Sequence, residues 1–290
     1  SGLKRVSYTM PVASAQVKSA LLLAGLYASG KTVVVEPVHT RDHTERLLRL
    51  FRAGIAVSKK TKGAVISIRG KKELVSPGII PVPGDISSAA FFIVLACLVP
   101  GSRIRIKNVS LNPSRMGIIG VLKRMNADIR ISKLTAKRRS WEPSGDIVVR
   151  SGSLKGTVVK KREIPSLIDE LPVLMVAACF AHGKTVLEGV GELRVKETDR
   201  IRSMTGNLKK MGAVIDIRAT AGGENIVIRG GNGLDGASVK SFGDHRTAMS
   251  LAVAGLSARG RTRIDDVSCI DKSFPGFLRL LKEILVSQGA

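Results

Sequence analysis

Ser87-Ser88-Ala89-Ala90-Phe91-Phe92-Ile93-Val94-Leu95-Ala96-Cys97-Leu98-Val99-Pro100-Gly101-Ser102-Arg103-Ile104-Arg105-Ile106 decides the fold, because the chain says nearly the same thing four times. A small-residue patch leads into an apolar run of helical length, then a glycine turn, then a β-branched run. The other copies open at Ser14-Ala15, near Ile168-Asp169 and at Gly243-Asp244-His245. Counted from residues 14, 87, 169 and 244, the openings lie 73, 82 and 75 residues apart. The turn and strand recur as Gly30 with Thr32-Val33-Val34-Val35, Gly183 with Thr185-Val186-Leu187, and Gly260 with Thr262-Arg263-Ile264. Self-similarity at a near-fixed period means a repeat architecture, in which no unit buries its apolar face alone.

Each repeat reads as helix, strand, helix and two strands, an α/β pattern. In the first, apolar spacing predicts a helix over 14–28, a strand over 32–35 and an amphipathic helix over 43–53 with Leu47, Leu48 and Phe51 inward. Gly54 is the expected helix stop, followed by strands at Ile55–Val57 and Ala64–Ile68. Further helices are expected near 87–98, 115–125, 167–181, 197–211, 244–258 and 275–286. Ser76-Pro77-Gly78-Ile79-Ile80-Pro81-Val82-Pro83-Gly84 interrupts both periods. It divides the chain into a first domain, 1–78, and a second, 79–290, that holds three of the four repeats.

Composition narrows the class. At 290 residues, 44% hydrophobic and 24% charged, the chain is globular rather than disordered. The longest apolar runs, Ala89–Val99 and Leu171–Ala181, have 11 residues each, too short for a bilayer and suited to buried helices. No secretory h-region follows Ser1-Gly2-Leu3-Lys4-Arg5, and the lack of an initiator Met suggests a fragment. Cys97, Cys179 and Cys269 have no metal-type spacing and are expected as buried small hydrophobes. The formal charge of +24 gathers at Lys59-Lys60, Lys71-Lys72, Lys137-Arg138-Arg139 and Lys160-Lys161-Arg162. With aromatics at 3% and no stacking or helix-turn-helix signature, these clusters read as solvated loops rather than a nucleic-acid surface.

Chemistry concentrates at four loop-to-helix junctions: Arg41-Asp42-His43, Arg194 through Arg200, Asp244-His245-Arg246 and Asp271-Lys272-Ser273. A cation at a helix N-terminus opposes the macrodipole at about 0.3–1 kcal/mol per site. Its repetition points to an anion held between helix end and cation, against the alternative that Asp, Ser and Thr simply cap. Asp169, set among Leu, Ile and Pro, suits a general base or a favourable first-turn carboxylate. Glu197, three residues before Arg200, suits an acid or an ordinary helix ion pair. His245 suits capping or orientation as well as proton transfer. No phosphate-binding P-loop, no Gly-x-Gly-x-x-Gly after a strand and no His/Cys metal spacing occurs, which leaves cofactor-free chemistry on anions.

Several of these phrases, in this order, resemble the 5-enolpyruvylshikimate-3-phosphate synthase (EPSP synthase) family. They are Val12 through Leu23, Arg41-Asp42-His43-Thr44-Glu45, Gly84-Asp85-Ile86-Ser87-Ser88-Ala89, Arg194-Val195-Lys196-Glu197-Thr198-Asp199-Arg200, Gly243-Asp244-His245-Arg246 and Lys272-Ser273-Phe274-Pro275. The resemblance implies an enolpyruvyl transferase fold: two domains of repeated βαβαββ units, an inside-out α/β barrel closing on substrate at the hinge. Residues 1–78 then represent the remainder of the N-terminal domain and 79–290 the C-terminal one. It implies transfer of enolpyruvyl from phosphoenolpyruvate to the 5-hydroxyl of shikimate 3-phosphate, on the route to chorismate and the aromatic amino acids.

Carried over by position, Ser14, Gln16 and Arg41 become shikimate 3-phosphate ligands, with Ala15 where many members have a second serine. Asp169 becomes the base for the 5-hydroxyl and Lys196 a neighbouring substrate contact. Glu197 becomes the acid that protonates the methylene carbon, Arg200, Arg246 and Lys272 hold phosphoenolpyruvate, with Lys272 counted among the catalytic groups, and His245 assists geometry. The implied partners are those two substrates, in the cytoplasm, with no nucleic acid, membrane, metal or cofactor, and a monomer when complete. The family's N-terminal Lys-Ser phrase and Asn-x-Gly-Thr loop have no counterpart, so this reads as an N-terminally truncated member not expected to turn over alone. The competing readings are the UDP-N-acetylglucosamine enolpyruvyl transferase, whose reactive-cysteine loop is not visible, and an RNA-processing protein on the same repeat.

Overall fold

The structure, a computed structural model, describes residues 2–132 and 141–286; the Lys137-Arg138-Arg139 cluster lies outside them. Two compact units result: Ser1–Pro83 with Ser110–Met116 and Leu134–Ser144, and Gly84–Val109 with Gly117–Lys133 and Gly145–Ala290.

In the first unit the order is β1 (Ser7–Thr9), α1 (Ala15–Gly25), β2 (Lys31–Glu36), α2 (His43–Leu50), β3 (Gly54–Lys59) and β4 (Ala64–Arg69). The strands pair in the order β1-β2-β4-β3. β1 runs parallel to β2, and β4 lies antiparallel to both β2 and β3, with Val34 opposite Ile66 and Ile66 opposite Val57. Alternation in β2 sends Thr32, Val34 and Glu36 inward. Met10, Leu22, Val34, Leu48, Ala53, Ala64, Ile66 and Ile68 form the core beneath.

The second unit repeats this unit three times. Its first copy is α3 (Ile86–Leu98), β5 (Arg103–Ser110), α4 (Gly117–Arg124), β6 (Asp128–Ser132) and β7 (Ser144–Arg150), paired β5-β7-β6. A parallel bridge between Gly84 and Val109 stands where a leading strand would be. The next copy is complete: β8 (Val158–Val159), α5 (Leu171–Phe180), β9 (Gly183–Leu187), α6 (Arg200–Lys210), β10 (Val214–Thr220) and β11 (Gly223–Gly230). Its order, β8-β9-β11-β10, matches that of the first unit strand for strand. The last comprises β12 (Ser238–Val239), α7 (His245–Ser257), β13 (Arg263–Ile264) and α8 (Phe277–Val286), with β12 parallel to β13. The architecture is mixed α/β, built on the repeat the sequence announces.

The leading helices α3, α5 and α7 pack on one another. That explains why α3 and α5 are apolar all round: a helix with no polar face must be enclosed on every side. Phe91, Ile93, Val94, Val173, Leu174 and Val176 are 2% exposed or less, each burial contributing about 1.5–3 kcal/mol. Phe92 and Phe277 add a tilted ring pair at 5.4 Å. Two glycines show how tightly the copies are built. A Cβ on Gly70, at the end of β4, would stand 2.0 Å from the Ala28 carbonyl oxygen. On Gly230, at the same place in β11, it would stand 2.2 Å from that of Ala178.

Several helix ends differ from expectation: α1 stops at Gly25 rather than 28, and α6 starts at Arg200 rather than 197. The stop of α2 is Arg52, not Gly54, which begins β3. Arg52 adopts φ 56°, Asn126 φ 71° and Gly212 φ 89° at matching positions. Each is followed by an alanine whose N–H reaches back five residues, Ala53 to Leu48, Ala127 to Leu122 and Ala213 to Leu208. This is the left-handed cap with its long-range bond. The helix expected from 167 begins only at Leu171, after a 3₁₀ segment over Lys161–Ser166. Pro172 suits the first turn, where its missing N–H is not needed. No described helix is long and apolar enough to cross a membrane.

Candidate active site

In the first unit the expected ligands lie at the start of α1 and on the loop after β2. Ser14 is the N-cap of α1, extended at φ −134°, and its hydroxyl accepts from the Val17 amide at 3.3 Å. Gln16 is exposed in the first turn, and Arg41 is half-buried just ahead of α2. Beside Arg41 lies a polar network that sequence reading missed. Asp42 Oδ1 accepts from Arg46 Nε and Asn112 Nδ2, both at 2.8 Å. His43 Nδ1 stands 3.1 Å from Glu142 Oε1, which also accepts from Ser110 at 2.9 Å. Burial pushes the Asp42 and Glu142 carboxyls up, but hydrogen bonds from Arg46 and His43 outweigh it and hold both below their ordinary values.

In the second unit five charged residues from three segments meet. Asp169 sits in the turn before α5, whose N-cap is Glu170, so it lies outside the helix in which the sequence placed it. Glu197 likewise precedes α6, whose N-cap is Asp199. Arg200, the first residue of α6, is wholly buried, and it donates from Nε to Asp244 Oδ2 at 2.9 Å and from Nη2 to Asp244 Oδ1 at 3.2 Å. Nη2 also reaches Glu197 Oε2 at 2.5 Å, and Nη1 lies 3.5 Å from Asp169 Oδ1. Arg246 flanks Asp169 from the other side, with Nη2 3.5 Å from Oδ2 and Nη1 donating to its backbone oxygen at 3.2 Å. Asp169 is thus held between two guanidiniums.

Electrostatics follows from this packing. Burial alone would lower the Arg200 pKa, yet the Asp244 hydrogen bonds and the surrounding carboxylates raise it. Burial would raise Asp244, and Arg200 holds it low instead. His245, the first residue of α7, is held below its ordinary value by burial and then by the Arg246 charge, so it is neutral at pH 7. Asp244 is also the N-cap of α7, accepting from the Arg246 amide at 3.1 Å and the Thr247 hydroxyl at 3.0 Å. Both helix starts are capped by aspartates, but Arg200, the base at the start of α6, is buried rather than solvated.

Asp169, Glu197, Arg200, Arg246 and His245 come together. Lys196 and Lys272 do not join them. Lys196 Nζ is taken by Glu192 at 2.6 Å. Lys272 ends the 3₁₀ turn over Ser268–Lys272, is exposed and makes no ion pair among the described residues. Asp244 is the residue that sequence reading undervalued; its signal was an N-cap aspartate ahead of an apolar helix, which predicts a cap and says nothing of Arg200. Among the described residues no group of three or more His, Cys, Asp or Glu could hold a metal.

The family model described as EPSP synthase (3-phosphoshikimate 1-carboxyvinyltransferase) matches residues 1–281. The 3-phosphoshikimate 1-carboxyvinyltransferase of Geotalea daltonii is 50% identical over 287 residues, 99% of this chain and 64% of that protein. That of Coxiella burnetii RSA 493 is 48% identical over 282 residues, 97% of this chain and 62% of its own length. A solved EPSP synthase structure from Acinetobacter baumannii superposes with a TM-score of 0.83 at 43% identity, covering 97% of this chain and 63% of that one. The chain spans a little under two thirds of the relatives it matches.

Proposed function

The chain belongs to the EPSP synthase family, and from that premise we propose that the protein carrying it transfers the enolpyruvyl group of phosphoenolpyruvate to the 5-hydroxyl of shikimate 3-phosphate. The observation that carries this reading is Asp169 held between Arg200 and Arg246. Addition of an alcohol to an enol phosphate needs a base at the hydroxyl, an acid at the methylene carbon and cations for the phosphate and carboxylate. Asp169 takes the hydroxyl proton as the oxygen bonds to C2 of phosphoenolpyruvate. Glu197, 56% exposed at the edge of the cluster, gives a proton to C3. The tetrahedral adduct then expels phosphate, which carries off the proton taken by Asp169, while a C3 proton returns to Glu197 and restores the double bond.

Arg200 and Arg246 serve as fixed donors. Arg200 is oriented by Asp244, so its geometry is set before substrate arrives. The cluster of Asp169, Glu197, Arg200, Asp244 and Arg246 holds three carboxylates and two guanidiniums, and an anionic substrate calls for more positive charge. Lys272, exposed and without an ion pair among the described residues, supplies it, and Lys196 does so by leaving Glu192. His245 packs at the start of α7 as a neutral group. In the first unit Ser14, Gln16 and Arg41 take shikimate 3-phosphate. The same reading makes 1–78 part of one domain and 79–290 another, and places the protein in the cytoplasm as a monomer without cofactor.

The test is phosphate release from phosphoenolpyruvate, with and without shikimate 3-phosphate, on the protein carrying this chain at its relatives' length. Release that requires both substrates is expected. No release from folded protein would sink the transferase reading.

A further inference from the structure

A buried ion cluster in the first unit ties together the two segments assigned above to shikimate 3-phosphate. Lys18 on α1 has no exposed side-chain surface; its Nζ donates to Glu36 Oε2 at 2.9 Å and lies 2.6 Å from Glu45 Oε1. The Glu36 and Glu45 side chains are only 4% and 3% exposed. Glu36 ends β2 and Glu45 lies in the first turn of α2. Thr40, between them and 7% exposed, donates its hydroxyl to the same Glu36 Oε2 at 2.8 Å. A hydroxyl pair between Ser19 and Thr44, at 2.7 Å, adds a second tie from α1 to α2.

These bonds have a particular reach. The Lys18 amide donates to the Ser14 carbonyl at 3.1 Å, so Lys18 is rooted one helical turn from the N-cap Ser14 and on the same first turns as Gln16. Thr40 immediately precedes Arg41. One carboxylate oxygen therefore fixes α1 through Lys18 and the Arg41 loop through Thr40. His39 also faces it, with Nδ1 3.8 Å from Glu36 Oε1. Buried ion pairs are a poor route to stability compared with apolar packing of the same volume. This one places an ammonium against two carboxylates, and leaves Glu45 Oε2 without a hydrogen-bond partner among the described residues. What it supplies is a fixed spacing.

We propose that Glu36 and Lys18 are positioning residues, which set the spacing between Ser14 and Gln16 on α1 and Arg41 on the following loop so that all three reach one phosphorylated sugar-like anion. The proposal rests on the assignment of shikimate 3-phosphate to those residues. A displacement of about 1 Å in such a set can cost as much as a hundredfold.

The experiment is calorimetric titration of this chain with shikimate 3-phosphate, for wild type, Glu36→Gln, Thr40→Val and the control Val34→Ala. Val34 is fully buried on the same strand and carries no polar group. Glu36→Gln should weaken binding by about tenfold or more and Thr40→Val by about three- to tenfold. Val34→Ala should keep wild-type affinity while lowering the melting temperature at least as far as Thr40→Val does. Unchanged affinity in Glu36→Gln and Thr40→Val, or a loss in Val34→Ala matching its lost stability, overturns the proposal. Amide exchange at residues 38–42, read without ligand, should quicken in the two polar variants and not in Val34→Ala. Wild type that is folded and does not bind counts against the substrate assignment alone. Exchange then decides, since equal exchange at 38–42 in all four proteins overturns the positioning role.

Discussion

Arg200 and Asp244 form a two-point ion pair in which neither side chain keeps any solvent exposure, at 2.9 and 3.2 Å. Asp244 thereby does three jobs at once, as partner of Arg200, cap of α7 and acceptor for Thr247. Removing one partner of such a pair leaves an uncompensated buried charge.

Asp244→Asn should therefore destabilise the second unit by about 3–5 kcal/mol, seen as a lower urea midpoint at pH 7. The sign of the pH dependence follows from the lowered Asp244 pKa. Its stabilisation is present above the unfolded carboxylate value of about 3.9 and is lost as pH falls through the lower folded value. Wild type should thus lose stability on acidification below about pH 4 more steeply than the variant. Parallel acid limbs would show that Asp244 and Arg200 are not coupled as the geometry has it.

Asp169→Asn and Lys272→Ala separate two roles within the proposed chemistry. Asp169→Asn keeps the side-chain shape between Arg200 and Arg246 and removes the base, so kcat should drop by at least about a hundredfold with KM changed much less. Equal loss in both parameters would make Asp169 a binding residue. Lys272 makes no ion pair among the described residues, so its removal should leave stability within about 0.5 kcal/mol. It should raise KM for phosphoenolpyruvate more than for shikimate 3-phosphate, and the reverse order would refute its assignment.

The repeat was legible because its signals are local. Eleven apolar residues before Pro100 and before His182 are too few for a bilayer and suit a buried helix, and α3 and α5 are that. The leading strands were not legible, because Val158–Val159 and Ser238–Val239 are two residues long and carry no alternation to detect. At the site, Asp169, Glu197, Arg200 and Arg246 could be singled out by residue type and position. What each touches could not. Arg200 meets Asp244 across 44 positions, and Asp42 meets Asn112 across 70. Such pairs leave no mark in a single sequence.

Arg52 offers a test of where α2 is capped. It holds φ 56° where Gly212 performs the same turn at φ 89°, and a residue with a Cβ is strained there. Its side chain is exposed. Arg52→Gly should stabilise the first unit by up to about 1 kcal/mol, the relief of left-handed strain offset partly by the entropy of a more flexible unfolded chain. Gly54→Ala, at a position that begins β3 with ordinary φ, should show no comparable left-handed penalty. If Gly54→Ala were the more damaging by the margin expected of a left-handed site, the stop would lie at Gly54 after all.

The three cysteines give the last prediction. Burial pushes the Cys97 and Cys179 thiols up to about 12, and it raises Cys269 as well. Only the thiolate reacts with alkylating reagents or disulfides, and at pH 8 a group with a pKa near 12 is ionised at about one part in ten thousand. Cys97 and Cys179 lie within α3 and α5, where a reagent finds no path without helix separation. Folded protein should therefore leave both unlabelled by a thiol-specific chromogen over hours, and unfolding in guanidinium should release all three at once. Rapid labelling of Cys97 or Cys179 under native conditions would mean that the packing of α3, α5 and α7 opens far more often than a buried helix triad allows.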